Sequence, residues 1–88
     1  MNSTVGFTQT AAAITATAAQ ILAENSSRNY LLVQNNGAGI VYLNFSGTAT
    51  TSNGIKLESG QAYEPEEVPS NAISAISDAT ASVILIEG

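Results

Sequence analysis

Apolar residues in this chain fall into short runs separated by small polar stretches, and the densest pattern lies at 29–45, NYLLVQNNGAGIVYLNF. Leucine, valine, isoleucine and aromatics flank a polar centre that carries glycine. β-Branched and aromatic side chains suit a pleated surface, and Asn and Gly supply the positive φ of a tight reversal. Asn36-Gly37, followed by Gly39, therefore predicts a β-hairpin with its turn at 36–39. In that register Tyr30, Leu32, Gln34, Val41, Leu43 and Phe45 share one face. Leu31, Val33, Ile40, Tyr42 and Asn44 share the other. A hairpin with one wet face alternates apolar with polar, whereas this one is largely apolar on both sides. One face is expected against a second sheet of the same chain, and the other against a partner subunit. Burial of both faces inside a single sandwich is the equal alternative.

The remaining pattern is also one of short strands. Residues 1–10 are uncharged, with Val5 and Phe7 at strand spacing, and read as an N-terminal arm or edge strand that touches a neighbour. In 11–24, Ile14, Ala18, Ile21 and Leu22 fit a helix, but the alternating threonines at 8, 10, 15 and 17 favour strands near 14–17 and 20–23. Asn25-Ser26-Ser27 makes a turn. The stretch 46–53, SGTATTSN, reads as a surface loop closed by Asn53-Gly54. Strands at 55–57 and 61–63 are expected to flank a turn at Glu58-Ser59-Gly60. Pro65 and Pro69 exclude 64–69 from a central strand. Residues 72–77 and 81–86 are expected to form a last pair around Asp78-Ala79-Thr80. The fold expected is all-β: a small antiparallel β-sandwich or jelly-roll-like domain over 11–88, built from seven or eight short strands.

Composition removes whole classes of chemistry. At 88 residues the chain is one small domain. It has no cysteine and no histidine, so disulfides, Ser-His-Asp and Cys-His catalysis and every Cys- or His-based zinc site are excluded. Arg28 and Lys56 are the only cations against seven carboxylates, and the net charge is −5. Such a chain cannot build a basic patch for nucleic acid, and anionic lipid surfaces would repel it. The strongest apolar run, 83–86, is far too short to cross a bilayer. MNSTVGFTQT has neither the basic nor the apolar region of a secretory signal, so a soluble chain made in a cytosol is expected.

Candidate chemistry is sparse. Three Asn-x-Ser/Thr triplets, at Asn2, Asn25 and Asn44, are accounted for by chance in a chain so rich in these residues. Gly37-Ala38-Gly39 lacks the third glycine and the helix of a phosphate loop. Glu64, Glu66 and Glu67 are the one acidic concentration, but the alternating ligands of a calcium loop are missing, and two prolines beside them describe a solvated turn. No constellation argues for catalysis, and no cofactor or metal is expected. By composition alone, a small β-domain for binding or assembly is expected.

Some residues carry a more specific signal through their order. Ile21-Leu22-Ala23-Glu24-Asn25 precedes Arg28, and Tyr30-Leu31-Leu32-Val33-Gln34-Asn35 follows it. Then come Ile40-Val41-Tyr42-Leu43-Asn44-Phe45-Ser46-Gly47, Asn53-Gly54-Ile55-Lys56-Leu57, and Gly60, Tyr63, Glu64 and Pro65. In this the stretch 20–68 resembles a group of short structural proteins of tailed bacteriophages and prophages. The resemblance implies a virion protein made in the host bacterial cytoplasm, most concretely a capsid decoration (cement) protein that binds the major capsid protein. The second apolar face of the 29–45 segment in so small a chain argues for a homo-oligomer, and the resemblance prefers a trimer to a dimer. The interface residues expected are Val5, Phe7, Leu31, Val33, Ile40 and Tyr42. Arg28 is expected to hold the 25–28 turn through carbonyls or a glutamate. Two other classes compete: a carbohydrate-binding module at a tail or fibre, and a glycan-cleaving enzyme using two glutamates.

Overall fold

In a computed structural model, which describes residues 6–88, the chain is two four-stranded antiparallel sheets packed face to face. The strands are β1 (Thr8–Ile14), β2 (Ala19–Leu22), β3 (Leu31–Asn35), β4 (Val41–Asn44), β5 (Ile55–Leu57), β6 (Ala62–Tyr63), β7 (Ile73–Ser77) and β8 (Ala81–Glu87). One sheet, here called A, has the order β1-β8-β3-β6, and the other, B, has β2-β7-β4-β5. The pairs β1–β8, β2–β7, β3–β6 and β4–β5 are those of one long antiparallel hairpin with β4–β5 at its tip. Rolling that hairpin until β8 meets β3 and β7 meets β4 gives the eight-stranded jelly roll. The all-β sandwich expected from the sequence is what the chain forms.

The expected 29–45 hairpin does not form. β3 lies in sheet A and β4 in sheet B, so 36–40 is an arch across the sandwich. A type I′ turn needs positive φ at both central residues. Neither Gly37 nor Gly39 has it. These glycines instead permit close approach of the arch to the β7–β8 connection. A Cβ on Gly37 would lie 2.7 Å from the Ser82 nitrogen, and one on Gly39 would lie 2.9 Å from the Ala79 oxygen. The strand pairs expected at 55–57 with 61–63, and at 72–77 with 81–86, are likewise split between the sheets. The turn between β5 and β6 is real, with Gln61 N–H bonded to the Glu58 carbonyl at 2.9 Å and Gly60 at φ +85°. It turns the chain from sheet B to sheet A.

Residues 11–24 form strands, not a helix, but the first strand begins earlier and ends sooner than expected. β1 stops at Ile14 because the Thr15 carbonyl accepts a hydrogen bond from Ser77 N–H of β7, at 2.9 Å, where the chain changes sheets. β1 also spans the boundary expected between an arm at 1–10 and a domain at 11–88, so Thr8, Gln9 and Thr10 belong to the sandwich as part of an edge strand.

The core follows from alternation. Leu31 and Val33 of β3, Val83 and Leu85 of β8, Val41 and Leu43 of β4, and Ile73 and Ala75 of β7 all point between the sheets. Leu31→Ala should therefore lower unfolding free energy by about 3 kcal/mol, whereas Leu32→Lys, one residue on and facing outward, should cost under about 1 kcal/mol. Urea titration of both variants checks the facing. Equal losses would show that it has been assigned wrongly.

Candidate docking surface

The outer surface of sheet A is built by the residues that alternate with the core set. Its cross-strand rows can be read from the register. Gln9, Ile86 and Leu32 form one row, Ala11, Ile84, Gln34 and Ala62 the next, and Ala13 and Ser82 a third. Beyond Ile86, Gly88 pairs with Tyr30 through N–H···O bonds of 2.9 and 3.1 Å. The Phe7 ring lies over Gly88, where a Cβ would come within 2.5 Å of it, and meets the Tyr30 ring edge-on at 5.4 Å. Phe7, at 58% exposure, is the most exposed large apolar side chain among the described residues. No residue in these rows is charged. The surface is an apolar band of Phe7, Tyr30, Leu32, Ile84 and Ile86 set among alanine, glutamine and serine.

Charge begins at the rim. Tyr30 donates its hydroxyl to the Glu64 carboxylate, and this bond, with some desolvation and the nearby negative charge, raises the phenol above its ordinary value. The outer surface of sheet B differs. There Lys56 sits in register with Tyr42 and Ile76, and Asp78 accepts a hydrogen bond from Ile40 N–H at 2.8 Å.

Arg28 holds the end of the sandwich from which β3 and β8 present this band. Its guanidinium donates to Glu87 at 2.7 Å, to the Pro69 and Asn71 carbonyls, the latter at 3.0 Å, and to the Ala23 carbonyl at 2.8 Å. The backbone closes the 25–28 turn with Arg28 N–H on the Asn25 carbonyl at 3.2 Å, so the anchoring role expected of Arg28 is present. Its side chain is fully buried.

The six residues expected at an interface do not share a surface. Leu31 and Val33 are 0% exposed and belong to the core, which corrects their assignment: in a jelly roll the odd positions of β3 face sheet B. Ile40 and Tyr42 are partly exposed, but on the sheet B side. Phe7 lies on the sheet A surface, and Val5 falls outside the described residues. The residues missed are Leu32, Ile84 and Ile86. For Ile84 and Ile86 the signal was visible in ASVILI, where isoleucines alternate with Val83 and Leu85.

A concavity of about 400 Å³ opens beside the start of β7, lined by Gln20, Glu24, Phe45, Thr48, Asn71 and Ser74 among others. Its polar groups suit a sugar. The Phe45 ring, however, is stacked on Tyr63 at 5.5 Å and packed on the core. Among the described residues no three acidic side chains are grouped to hold a metal ion. Comparison with protein-family models and with curated proteins finds no match to this chain.

Proposed function

We propose that the protein is a structural virion protein, a decoration protein that binds the outer surface of a phage head and stabilises it. The resemblance of 20–68 to short phage structural proteins supplies the class. The observation that carries the docking is the charge-free outer surface of sheet A in a chain of net charge −5. Contiguous apolar surface of this kind on a small domain marks an interaction site. Its partner in this reading is the major capsid protein. Several copies joined as a homo-oligomer would engage several capsid subunits at once and hold by multivalency. The reading asks nothing of catalysis or cofactors.

The concavity beside β7 supports a second reading, a carbohydrate-binding module at a tail or fibre, less well because its aromatic ring is committed to packing. Co-sedimentation with empty heads separates the two. The wild-type chain should pellet with heads, and Ile84→Lys with Ile86→Lys should reduce retention at least roughly tenfold, since each places a charge in the apolar band. Circular dichroism should show the double-lysine variant still folded. Wild-type chain left in the supernatant, together with binding on a glycan array, would move the assignment to the second reading.

A further inference from the structure

Each sheet has two edge strands, and a bare edge is a template for another strand unless something blunts it. Three of the four are blunted. β6 has two residues and runs into Glu64-Pro65, β5 has three and carries Lys56, and β2 has four with a register break between Gln20 and Leu22. β1 is different. Its seven residues, TQTAAAI, pair with β8 without a register shift and include no charge, proline or glycine. All but Ala12 and Ile14 are exposed, and no described residue pairs with its outer side. Alternate residues therefore present their N–H and C=O groups outward.

We infer that β1 is a self-association edge, which pairs antiparallel with β1 of a second copy about a twofold axis through Ala11. The partner follows from the strand's own symmetry. Opposed residues in an antiparallel pair point to the same side of the sheet, so only registers that match like-facing residues are allowed. Among these, the one centred on Ala11 pairs all seven residues. Thr8 meets the partner's Ile14, Thr10 the partner's Ala12, and Gln9 the partner's Ala13. Alanine and threonine leave room for close approach, and neither strand brings a charge to the other. The product is one continuous eight-stranded sheet, β6-β3-β8-β1 running on into its copy, and it joins two apolar bands into a single uncharged surface. Such an isologous contact closes on itself and does not propagate into fibres. It favours a dimer over the trimer implied by the phage resemblance. The pairing requires no capsid, so its failure and that of head binding are read separately.

A paired substitution tests the register. Gln9→Lys with Ala13→Lys sets lysine opposite lysine twice across the twofold. Gln9→Lys with Ala13→Glu sets lysine opposite glutamate twice. Light scattering of the wild-type chain at high micromolar concentration should give twice the 9.0 kDa chain mass. The double-lysine variant should dissociate roughly tenfold more readily, and the lysine–glutamate variant should dimerise at least as well as wild type. Circular dichroism should show both variants folded, and amide exchange across 8–14 should accelerate on dilution of the wild type and of the lysine–glutamate variant. A wild-type monomer at every concentration, a trimer, or equal self-association of the two variants would overturn the pairing.

Discussion

Replacing Arg28 by alanine is expected to lower the unfolding free energy by about 4 kcal/mol, because it strips one buried partner from a fully used set. A domain of this size has roughly 4–13 kcal/mol in total, so the variant should lose between about a third and nearly all of its stability. The guanidinium serves three carbonyls from two separate loops, Ala23 on one side and Pro69 and Asn71 on the other, as well as the Glu87 carboxylate. Lysine cannot repeat this, because a single ammonium lacks the planar fork that reaches four acceptors. Arg28→Lys should therefore recover less than half of the loss in urea titrations.

The same pair predicts a pH dependence. Burial pushes the Glu87 carboxyl up, but the Arg28 and Asn25 hydrogen bonds and the Arg28 charge outweigh it and hold the carboxyl below its ordinary value. A carboxyl depressed in the folded state adds stability above its unfolded value, and that stability is lost as pH falls through the folded value. Wild-type stability should thus drop on the acid side of the normal glutamate range, and Glu87→Gln should flatten this part of the curve. In Arg28→Ala the Arg28 hydrogen bond and charge that lower the Glu87 carboxyl are gone, so the acid-side loss of stability due to Glu87 should shrink. Comparing Arg28→Ala with the Arg28→Ala/Glu87→Gln double variant isolates that term. An unchanged slope would mean that the ion pair does not govern Glu87.

Asn35→Leu is expected to cost a similar amount, about 4 kcal/mol, with no change in charge. Asn35 is 0% exposed, and its amide spans the inside of the arch. The NH₂ group donates to the Gly39 carbonyl at 2.7 Å and the Leu57 carbonyl at 2.9 Å, while its oxygen accepts from Gly37 N–H at 3.0 Å. Leucine fills the volume but leaves three backbone groups without this partner in a buried place, each costing about 1–3 kcal/mol. Asn35→Asp should be no better, since an ionised carboxylate cannot donate to either carbonyl. Gln34→Ala, on the exposed side of the same strand, should fall within about 0.5 kcal/mol of wild type. Thermal unfolding of the three variants checks this. An Asn35→Leu protein as stable as wild type would show that water or a shifted backbone satisfies those groups.

The docking surface was only half legible. Apolar residues on both sides of the 29–45 strands pointed to a second covered or docking face. Which side faces out, though, depends on what lies opposite, and grouping Leu31 and Val33 with Ile40 and Tyr42 assumed that β3 and β4 are neighbours. They lie in opposite sheets, so Leu31, Val33, Val41 and Leu43 all turn inward toward one another. The true outer partners, Ile84 and Ile86, come from β8, about fifty residues along the chain from β3.

What the amino-acid order by itself determined is local: eight short β-forming segments, the turns between them, the two-residue alternation in β3, β4, β7 and β8, and the absence of cysteine and histidine. Those features depend on each residue's own preferences and its immediate neighbours. Pairing was decided only by the tertiary structure. Asn36-Gly37-Ala38-Gly39 carries the residues of a hairpin turn, yet without positive φ at either glycine it spans the gap between sheets. Two distant influences select that path. The buried Asn35 amide ties the arch to Leu57, and the missing side chains at Gly37 and Gly39 let it lie against Ala79 and Ser82. Both depend on residues more than twenty positions away, and no local pattern encodes a contact that exists only once the hairpin has rolled up.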